Sequence, residues 1–363
     1  MKARLLDILC CPACAGPLSL EVLSEERIGD SDEIVEGFLR CACGKVYPIV
    51  GGIPRLLPDA LLAQCLHGRY PNFVARHAAR FSAPALPAHL RDRKARTMRA
   101  FGYQWTSFVD NFDYFRSIFL GFVQPFLGPE DFAGKLVLEV GCGSGRPASV
   151  ASSFGAEVVA VDLSEAVETA YAQTSRYPKL HVVQADAYAL PFRPRFDLVY
   201  SVGVLQHLPD PAMAVRSIAR VVAAGRPLVL WVYGKREFWY QPIEWLRRIT
   251  TRMPFALLRA LSWVLAVLSE IFLLVPYRIL SRLPGLRGLA ERIPGRIYAQ
   301  FPFRENVLGW FDRLAAPVTH YFSRDDVEGM LANAGFGRIQ VVARPGASAS
   351  WVAHATREGA QDS

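Results

Sequence analysis

The sequence lacks several features that would decide its class at once. It has no internal repeat and no low-complexity tract apart from the polar tail after Arg357, which excludes a repeat architecture. We also expect no secretory leader, because the opening residues 1–9 are too short for one and include Asp7. Without a leader, a disulfide-stabilised secreted protein is disfavoured. We therefore expect a cytoplasmic chain with reduced cysteines.

Most of the chain lacks a net positive charge, which is concentrated in two segments. The whole chain has a formal net charge of +8, and segments 66–100 and 235–300 each carry a net +7, so the remainder is net acidic. Such basic stripes suit RNA phosphates, anionic lipid headgroups or an acidic substrate, and solvated helix faces show the same pattern. At 363 residues and 52% hydrophobic content, the chain is long enough for two or more folded units.

The segment 136–146 is the most informative part of the sequence. An apolar run ends in three alternating glycines, Gly141, Gly143 and Gly145. Such a run predicts a buried parallel strand, and the glycines predict a loop whose backbone passes close to a ligand. A dinucleotide fingerprint needs its third glycine three residues after the second, where this chain has Arg146. The spacing therefore excludes a dinucleotide site.

Three further strands follow at the intervals expected of an alternating α/β fold. Segment 157–164 is an apolar strand that ends in Asp162, about twenty residues after the glycines. Segment 180–184 leads into the sequence D-A-Y-A-L-P-F at 186–192, and segment 196–211 holds a fourth strand and its loop. The acids at the strand ends predict ligand contacts in one crevice, although Asp162 and Asp186 would also suit helix N-caps.

These motifs together resemble the class I S-adenosylmethionine methyltransferases. The resemblance implies an α/β, Rossmann-like sheet of seven strands, which binds S-adenosylmethionine. It implies that Glu139 and the glycine loop hold the methionine end, Asp162 the ribose hydroxyls and Asp186 the adenine amino group. The predicted cofactor-binding residues are Glu139, Gly141, Cys142, Gly143, Gly145, Asp162, Leu163, Asp186, Ala187, Ser201 and Val202.

Four N-terminal cysteines form a second pattern. The close pairs Cys11/Cys14 and Cys41/Cys43 suit a tetrahedral site for a structural Zn²⁺, with Cys10 beside the first pair as a competing ligand. Two buried thiol pairs without metal are the alternative. Residues 1–58, with Y-P-I-V-G-G-I-P at 47–54, resemble the small zinc-binding, zinc-ribbon-like domain of methyltransferase activator proteins. Those proteins stabilise a separate methyltransferase partner, whereas here the domain is fused to its own catalytic chain.

The remaining segments surround the predicted core, which comprises 131–234 and 321–358. Residues 59–130 form a helical linker in which Tyr103 and Trp105 are candidates for the substrate pocket, although aromatic residues on such a helix are often core. Residues 235–320 form a helical insertion after strand five, with a long apolar run at 255–275. Length alone permits a membrane span. Strands on both sides of the insertion argue instead for a lid or for membrane-surface contact through 253–290.

The predicted chemistry is methyl transfer. A base is needed only if the acceptor loses a proton, and the candidates are His207 and Tyr200, with His320 and Tyr321 near the pocket. The chain lacks an N-P-P-Y-type string, which argues against amino methylation of nucleobases or glutamine. We expect O- or C-methylation of a bulky or hydrophobic, small-molecule or lipid-like acceptor. An RNA or protein methyltransferase that grips its substrate through the zinc domain and the arginine stripes is the alternative, with nucleic acid the less favoured partner. A non-catalytic binding protein is a third hypothesis.

Overall fold

The computed structural model describes residues 1–29, 31–80, 88–107, 115–235, 241–293, 296–344 and 350–359. The chain divides into two compact units. The first, here called the core unit, comprises Met1–Lys235, Val318–Arg344 and Ala349–Ser363. The second, here called the insertion unit, comprises Arg236–Pro317 and Pro345–Ser348.

The core unit contains a single mixed sheet, and its strands in chain order are β1 (Leu18–Ile28), β2 (Ser31–Cys41), β3 (Val46–Val50), β4 (Ile53–Leu56), β5 (Leu136–Val140), β6 (Glu157–Asp162), β7 (Leu180–Ala185), β8 (Leu198–Val202), β9 (Pro227–Tyr233), β10 (Phe336–Ala343) and β11 (Ser350–Arg357). Their spatial order is β1-β2-β3-β4-β7-β6-β5-β8-β9-β11-β10.

The last seven of these positions form the predicted Rossmann-like sheet. Strands β7, β6, β5, β8 and β9 run parallel, and β11 and β10 continue the sheet in antiparallel pairs. Strands β5 and β6 are nearly continuous runs of buried aliphatic residues, as expected for parallel strands covered on both faces. The structure thus confirms the predicted fold class, including a helical insertion after the fifth core strand.

The sheet has eleven strands rather than the expected seven. Strand β4 pairs antiparallel with β3 and parallel with β7, where Arg55 lies opposite Gln184. This pairing adds the four N-terminal strands to the edge of the core sheet. The strands of segment 1–58 are therefore hydrogen-bonded into the same sheet as the core strands.

A buried arginine holds this junction. Arg55 is 1% exposed, and its guanidinium donates to the Gln184 side chain at 2.7 Å, to the Val50 carbonyl at 3.1 Å and to Glu168 at 2.6 Å. The Tyr70 hydroxyl also contacts Glu168, at 2.9 Å. Removing a charge from water is costly unless partners surround it, so Arg55 requires all of these groups in place.

The helices of the core unit cover the sheet: α1 (Asp59–Arg69), α2 (Pro71–Arg76), α3 (Ala88–Ser107), α4 (Phe115–Val123), α5 (Arg146–Ser153), α6 (Ala166–Thr174) and α7 (Pro211–Ala219). The insertion unit contains α8 (Gln241–Thr250), α9 (Phe255–Ser269), α10 (Val275–Leu280), α11 (Arg287–Ala290) and α12 (Phe303–Ala315), and the chain returns to the core unit in α13 (Arg324–Ala332).

The sequence of segment 323–336, with a serine at its start and a glycine near its end, predicts a helix, and α13 begins directly after Ser323. The Ser323 side chain accepts from the Asp326 amide, and Asp326 accepts in return from the Ser323 amide, which completes a capping box. Gly335, with φ +79°, then turns the chain into β10. The sequence also predicts strands at 337–344 and 350–357. Strand β11 has the second pair of bounds, and β10 lies one residue earlier than the first, at Phe336–Ala343.

We predict that Glu168→Gln lowers the free energy of unfolding by about 3 kcal/mol, because it leaves the buried Arg55 charge without its carboxylate. The urea midpoint of the full chain measures this loss. The exposed Arg324–Glu328 pair of α13 is the matched control, and Glu328→Gln is expected to cost less than about 0.5 kcal/mol. Equal effects of the two variants would refute the structural role given to Arg55.

Candidate functional site

The loop after β5 has a backbone that requires its glycines. Gly141, Gly143 and Gly145 have φ angles of +84°, +52° and +82°, in the region that L side chains rarely adopt. A Cβ at Gly141 would also lie 2.1 Å from the Val204 side chain. The loop therefore places its backbone amides at the carboxyl end of β5, with no side chains at these three positions.

Three acidic residues lie at the carboxyl ends of three adjacent strands. Glu139 lies near the end of β5, Asp162 ends β6 and Asp186 follows β7. Because adjacent strands lie about 4.8 Å apart, the three acids follow one edge of the sheet over roughly 10 Å. Glu139 and Asp186 are 1% and 4% exposed. Open α/β sheets bind their ligands at this end of their strands.

Asp162 also holds the glycine loop. Its carboxylate accepts hydrogen bonds from the Gly143 amide at 2.9 Å, the Ser164 amide at 2.8 Å and the Ser164 hydroxyl at 2.7 Å. Burial raises the pKa of Asp162, and these donors act against that shift. This tie between the loop and β6 was not predicted, because the sequence shows the spacing of the residues but not their contacts.

Glu139 has a phenol as its neighbour. The Tyr200 hydroxyl lies 3.3 Å from Oε2 of Glu139, and both side chains are buried. Burial raises the pKa of Glu139 well above its ordinary value, and burial followed by the Glu139 charge raises that of Tyr200. Phe119 and Phe132 pack against the Tyr200 ring. The phenol is therefore held in its protonated form, behind the loop.

The structure places Trp105 on the glycine loop. A Cβ at Gly143 would lie 3.0 Å from the Trp105 indole, so only glycine allows the ring this close. The Arg146 guanidinium lies 5.0 Å from the centre of the Trp105 ring and 4.6 Å from that of Phe115, which are cation–π distances. Arg146, which replaces a dinucleotide glycine, thus links α3 and α4 to the start of α5.

An aromatic cluster lies around the ends of β8 and β9. The His207 ring is 5.0 Å from Phe101 and 5.6 Å from Tyr233, and Tyr233 stacks on Tyr321 at 6.2 Å. Nδ1 of His207 lies 3.0 Å from the Val318 carbonyl. A carbonyl can only accept, so this contact assigns the proton to Nδ1 and leaves Nε2 as the basic nitrogen of the neutral ring.

Buried polar atoms near this cluster lack partners among the described residues. They are both amide atoms of Gln206, which is 0% exposed, the indole nitrogen of Trp231 and the hydroxyl of Thr319. Both side chains lie close to Gly203, which follows β8. A Cβ added at Gly203 would lie 3.4 Å from the Trp231 ring and 3.7 Å from the Gln206 amide nitrogen. Unsatisfied buried donors and acceptors are costly, so these atoms suggest a polar ligand.

The other predicted residues lie around this edge. The Ser201 hydroxyl donates to the Val140 carbonyl at 2.8 Å, and the buried Cys142 thiol has a pKa raised by desolvation. The His320 ring contacts the Leu208 carbonyl at 2.9 Å. Leu163, Ala187 and Val202 are half-buried at or next to the ends of β6, β7 and β8, and Tyr103 is half-buried in α3. Their assignment to cofactor or substrate stays a prediction.

The four predicted metal ligands come together. The sulfur atoms of Cys11, Cys14, Cys41 and Cys43 all lie within 4.8 Å of one another, with Cys14 and Cys41 at 3.4 Å. A tetrahedral zinc with bonds of about 2.3 Å needs sulfurs about 3.8 Å apart. The cysteines are all free of disulfides. The donor set therefore fits a structural zinc, and the neighbouring Cys10 lies outside it.

Two family models match parts of this chain. Residues 138–230, which include the glycine loop and Asp162, match the model described as a methyltransferase domain. Residues 2–52, which include the cysteine cluster, match the model described as a Trm112p-like protein. The chain thus carries the two domains that the sequence motifs predict.

Curated relatives match over the same catalytic segment. The ubiquinone biosynthesis O-methyltransferase of Thiobacillus denitrificans is 38% identical over 105 residues, which cover 28% of this chain and 44% of that protein. The chloroplastic tocopherol O-methyltransferase of Arabidopsis thaliana is 38% identical over 110 residues, which cover 28% and 31%. The chain therefore matches less than half of the length of these relatives.

Among solved structures, the chain is similar to a 1,6-didemethyltoxoflavin-N1-methyltransferase of Burkholderia thailandensis, solved with S-adenosylhomocysteine. The TM-score is 0.41 at 16% identity, and the similarity covers 77% of this chain and 93% of the other. A similarity of this size supports no functional conclusion.

We predict one zinc per chain, lost in Cys41→Ser and retained in Cys10→Ser. Cys41 belongs to the sulfur cluster, whereas Cys10 is also buried beside it but contributes no ligand. Metal content by plasma mass spectrometry and the melting temperature measure both variants. Zinc retained in Cys41→Ser, or lost only in Cys10→Ser, would contradict the assignment.

We predict that Asp162→Ala weakens S-adenosylmethionine binding about 100-fold. The variant removes a carboxylate that would accept hydrogen bonds from the ribose and that fixes Gly143, and hydrogen bonds to charged groups contribute about 1.5–3 kcal/mol each. Calorimetry measures the affinity. Asp210→Ala, which removes the exposed N-cap of α7, is the control and should retain binding. Undiminished affinity in Asp162→Ala would disprove the site.

Proposed function

We propose that this chain, which carries a methyltransferase domain, is an S-adenosylmethionine-dependent methyltransferase acting on an oxygen of a hydrophobic small molecule. The observation that carries the proposal is the row of Glu139, Asp162 and Asp186 beside a glycine loop, at the carboxyl ends of three adjacent strands. The row offers carboxylates for an amino acid end, a ribose and an adenine in that order, which is the chemistry of this cofactor.

The bound cofactor supplies a methyl group already activated on a sulfonium. The protein then needs to align the acceptor and to exclude water, which together provide much of the rate. We assign alignment of the cofactor to Asp162 and to the glycine loop that it holds in place. We assign cover of the loop to Trp105, whose ring lies against Gly143 and is fixed by Arg146.

The acceptor would bind beside the aromatic cluster of Phe101, His207, Tyr233 and Tyr321. Ring faces of this kind favour an apolar or aromatic acceptor. The buried Gln206 amide and the Trp231 indole nitrogen would then hydrogen-bond polar substituents on its ring. The curated relatives named as ubiquinone and tocopherol O-methyltransferases support an acceptor of the same chemical class.

His207 is our candidate for the general base. Its Nδ1 contacts the Val318 carbonyl, so Nε2 is the atom that would take the proton of an acceptor hydroxyl. Tyr200 was the second candidate base, and its buried, protonated phenol next to Glu139 does not suit that role. We assign Tyr200 instead to the positioning of Glu139.

The alternative is an RNA or protein methyltransferase that grips its substrate through the zinc domain and the arginine stripes. Three arginines of segment 66–100 form ion pairs with acids of the core unit: Arg69 with Glu168, Arg76 with Glu36 and Arg80 with Glu21. Paired arginines are less available to phosphates, so the first stripe gives the RNA hypothesis little support. Within the same proposal, we expect the enzyme to act in the cytoplasm.

We expect methyl transfer into the fraction of small molecules that organic solvent extracts. The test incubates the zinc-loaded protein and methyl-labelled S-adenosylmethionine with a cell extract separated into lipid, small-molecule, RNA and protein fractions. His207→Ala should lower kcat by about 100-fold or more with unchanged cofactor affinity, the scale of general base catalysis.

His354→Gln is the control, because His354 lies in β11 against Phe126, away from the aromatic cluster, and should retain activity. Label in RNA or protein would replace the proposed acceptor class. Full activity of His207→Ala would remove His207 from the chemistry without affecting the methyltransferase assignment.

A further inference from the structure

The long apolar helix of the insertion unit exposes its apolar face and buries its polar one. Helix α9, a π-helical turn at Glu270–Leu274 and α10 form a continuous helix over Phe255–Leu280. The most apolar 18-residue window has a mean hydropathy of 2.0, yet only 28% of it is buried. A helix of a water-soluble protein normally buries its apolar stripe and exposes its polar one.

The exposed face of this helix carries its largest apolar side chains. Phe272 is 67% exposed and Ile271 54%, and other apolar residues are between 41% and 57% exposed, namely Leu257, Trp263, Val264, Leu268, Val275 and Ile279. Apart from Trp263, their spacing of three, four and seven residues places them on one side. Isolated exposed apolar residues are common, but a contiguous stripe indicates a contact surface.

The opposite face is small and polar, and it packs on α12. Ser262, Ala266 and Ser269 are buried there. The Asn306 side chain donates to the Ala266 carbonyl at 3.2 Å, and the Trp310 indole donates to the Ser269 hydroxyl at 2.7 Å. Small residues between helices, with polar groups hydrogen-bonded inside, are the arrangement that proteins use against lipid.

Exposed arginines accompany the apolar residues of the same unit. Arg248 and Arg252 lie beside the exposed Trp245 and Ile249. Arg282, Arg287 and Arg292 alternate with the exposed leucines at 283, 286 and 289. Glu244 and Glu270 pair with Arg247 and Arg278. The exposed Glu291 lies between Arg287 and Arg292, so the five exposed arginines still outnumber the acid beside them.

We propose that the insertion unit docks on the surface of an anionic lipid bilayer, with its apolar stripe in the acyl region and its arginines at the headgroups. Charge decides this occupant. A bilayer with anionic lipids attracts arginines next to an apolar face, and tryptophan is favoured at that boundary. A second copy of this chain would place arginines against arginines across a twofold axis, which is unfavourable.

The unit docks in the plane of the membrane and does not cross it. The chain enters the insertion after Lys235 and returns at Val318, and Gly234 and Phe322 form a parallel bridge in the core unit. Both ends of the insertion are therefore on the same side. Phe255–Leu280 is the one helix of the described residues with the length and hydropathy to cross a membrane, and a single crossing would separate these ends.

The test is sedimentation of the full chain with large unilamellar vesicles, made of phosphatidylcholine alone or with 30% phosphatidylglycerol, at about 0.05 and 0.5 M salt. We expect binding to the anionic vesicles at low salt, at least about tenfold weaker binding to neutral ones, and weakening in high salt. The emission of Trp245 and Trp263 should shift to the blue on binding.

Two variants separate the two components of the contact. Phe272→Gln with Leu268→Gln should lower vesicle affinity at least tenfold by removing apolar side chains from the acyl region. Arg248→Gln with Arg252→Gln should lower it about fivefold per arginine, and only on anionic vesicles. Leu23→Gln, a comparably exposed leucine of β1 in the core unit, is the control and should bind as the parent does.

Absence of vesicle binding, or equal binding by the parent and the Phe272/Leu268 variant, would overturn the proposal. A concentration-dependent dimer in analytical ultracentrifugation that the same variant abolishes would identify a second copy as the occupant instead. The measurements need no methyl acceptor, so their outcome is independent of the proposed catalytic function.

Discussion

The burial of one charged group, the Arg55 guanidinium, constrains how the core unit is assembled. The charge is tolerated only because β3, β7 and α6 all bring acceptors to it, in the form of Val50, Gln184 and Glu168. Strand β4 has four residues and forms few ladder bonds with β7, so the polar network supplies specificity that the short strand lacks. The strands of segment 1–58 and the parallel strands join into one sheet at this point.

The order of this sheet places the site. Strands β5, β6 and β7 end at the same edge, which brings three carboxylates and the glycine loop together although 47 residues separate Glu139 from Asp186. The Asp162 carboxylate then ties the loop to β6. A single side chain thus fixes the conformation of the loop and places a carboxylate beside it. Segment 1–58, which holds the cysteine cluster, lies in the same sheet as the site.

Much of this was predictable from the sequence because the signals are local. Glycines with positive φ, acids after apolar strands and paired cysteines all act within a few residues, and Ser323 marks its helix in the same way. The eleven-stranded sheet was not predictable, since four residues at 53–56 show no period that would specify β7 as a partner. The contacts of Arg146 with Trp105 and of Tyr200 with Glu139 likewise arise only after distant segments pack.

The two chain segments at the base of the insertion, here called its stem, meet at Tyr233–Gly234 and Phe322. Tyr233 and Phe322 are already hydrogen-bonded, and Gly234 forms a β-bridge with Phe322, so the sheet itself holds the two ends of the intervening segment together. Closing that long loop costs conformational entropy, and the pairing of the core strands offsets this cost. The cost itself depends only weakly on the length of the segment. Evolution can lengthen, shorten or replace what lies between these residues while the cofactor strands keep their register. The stem is therefore an exchange point at which one catalytic sheet can acquire new partners.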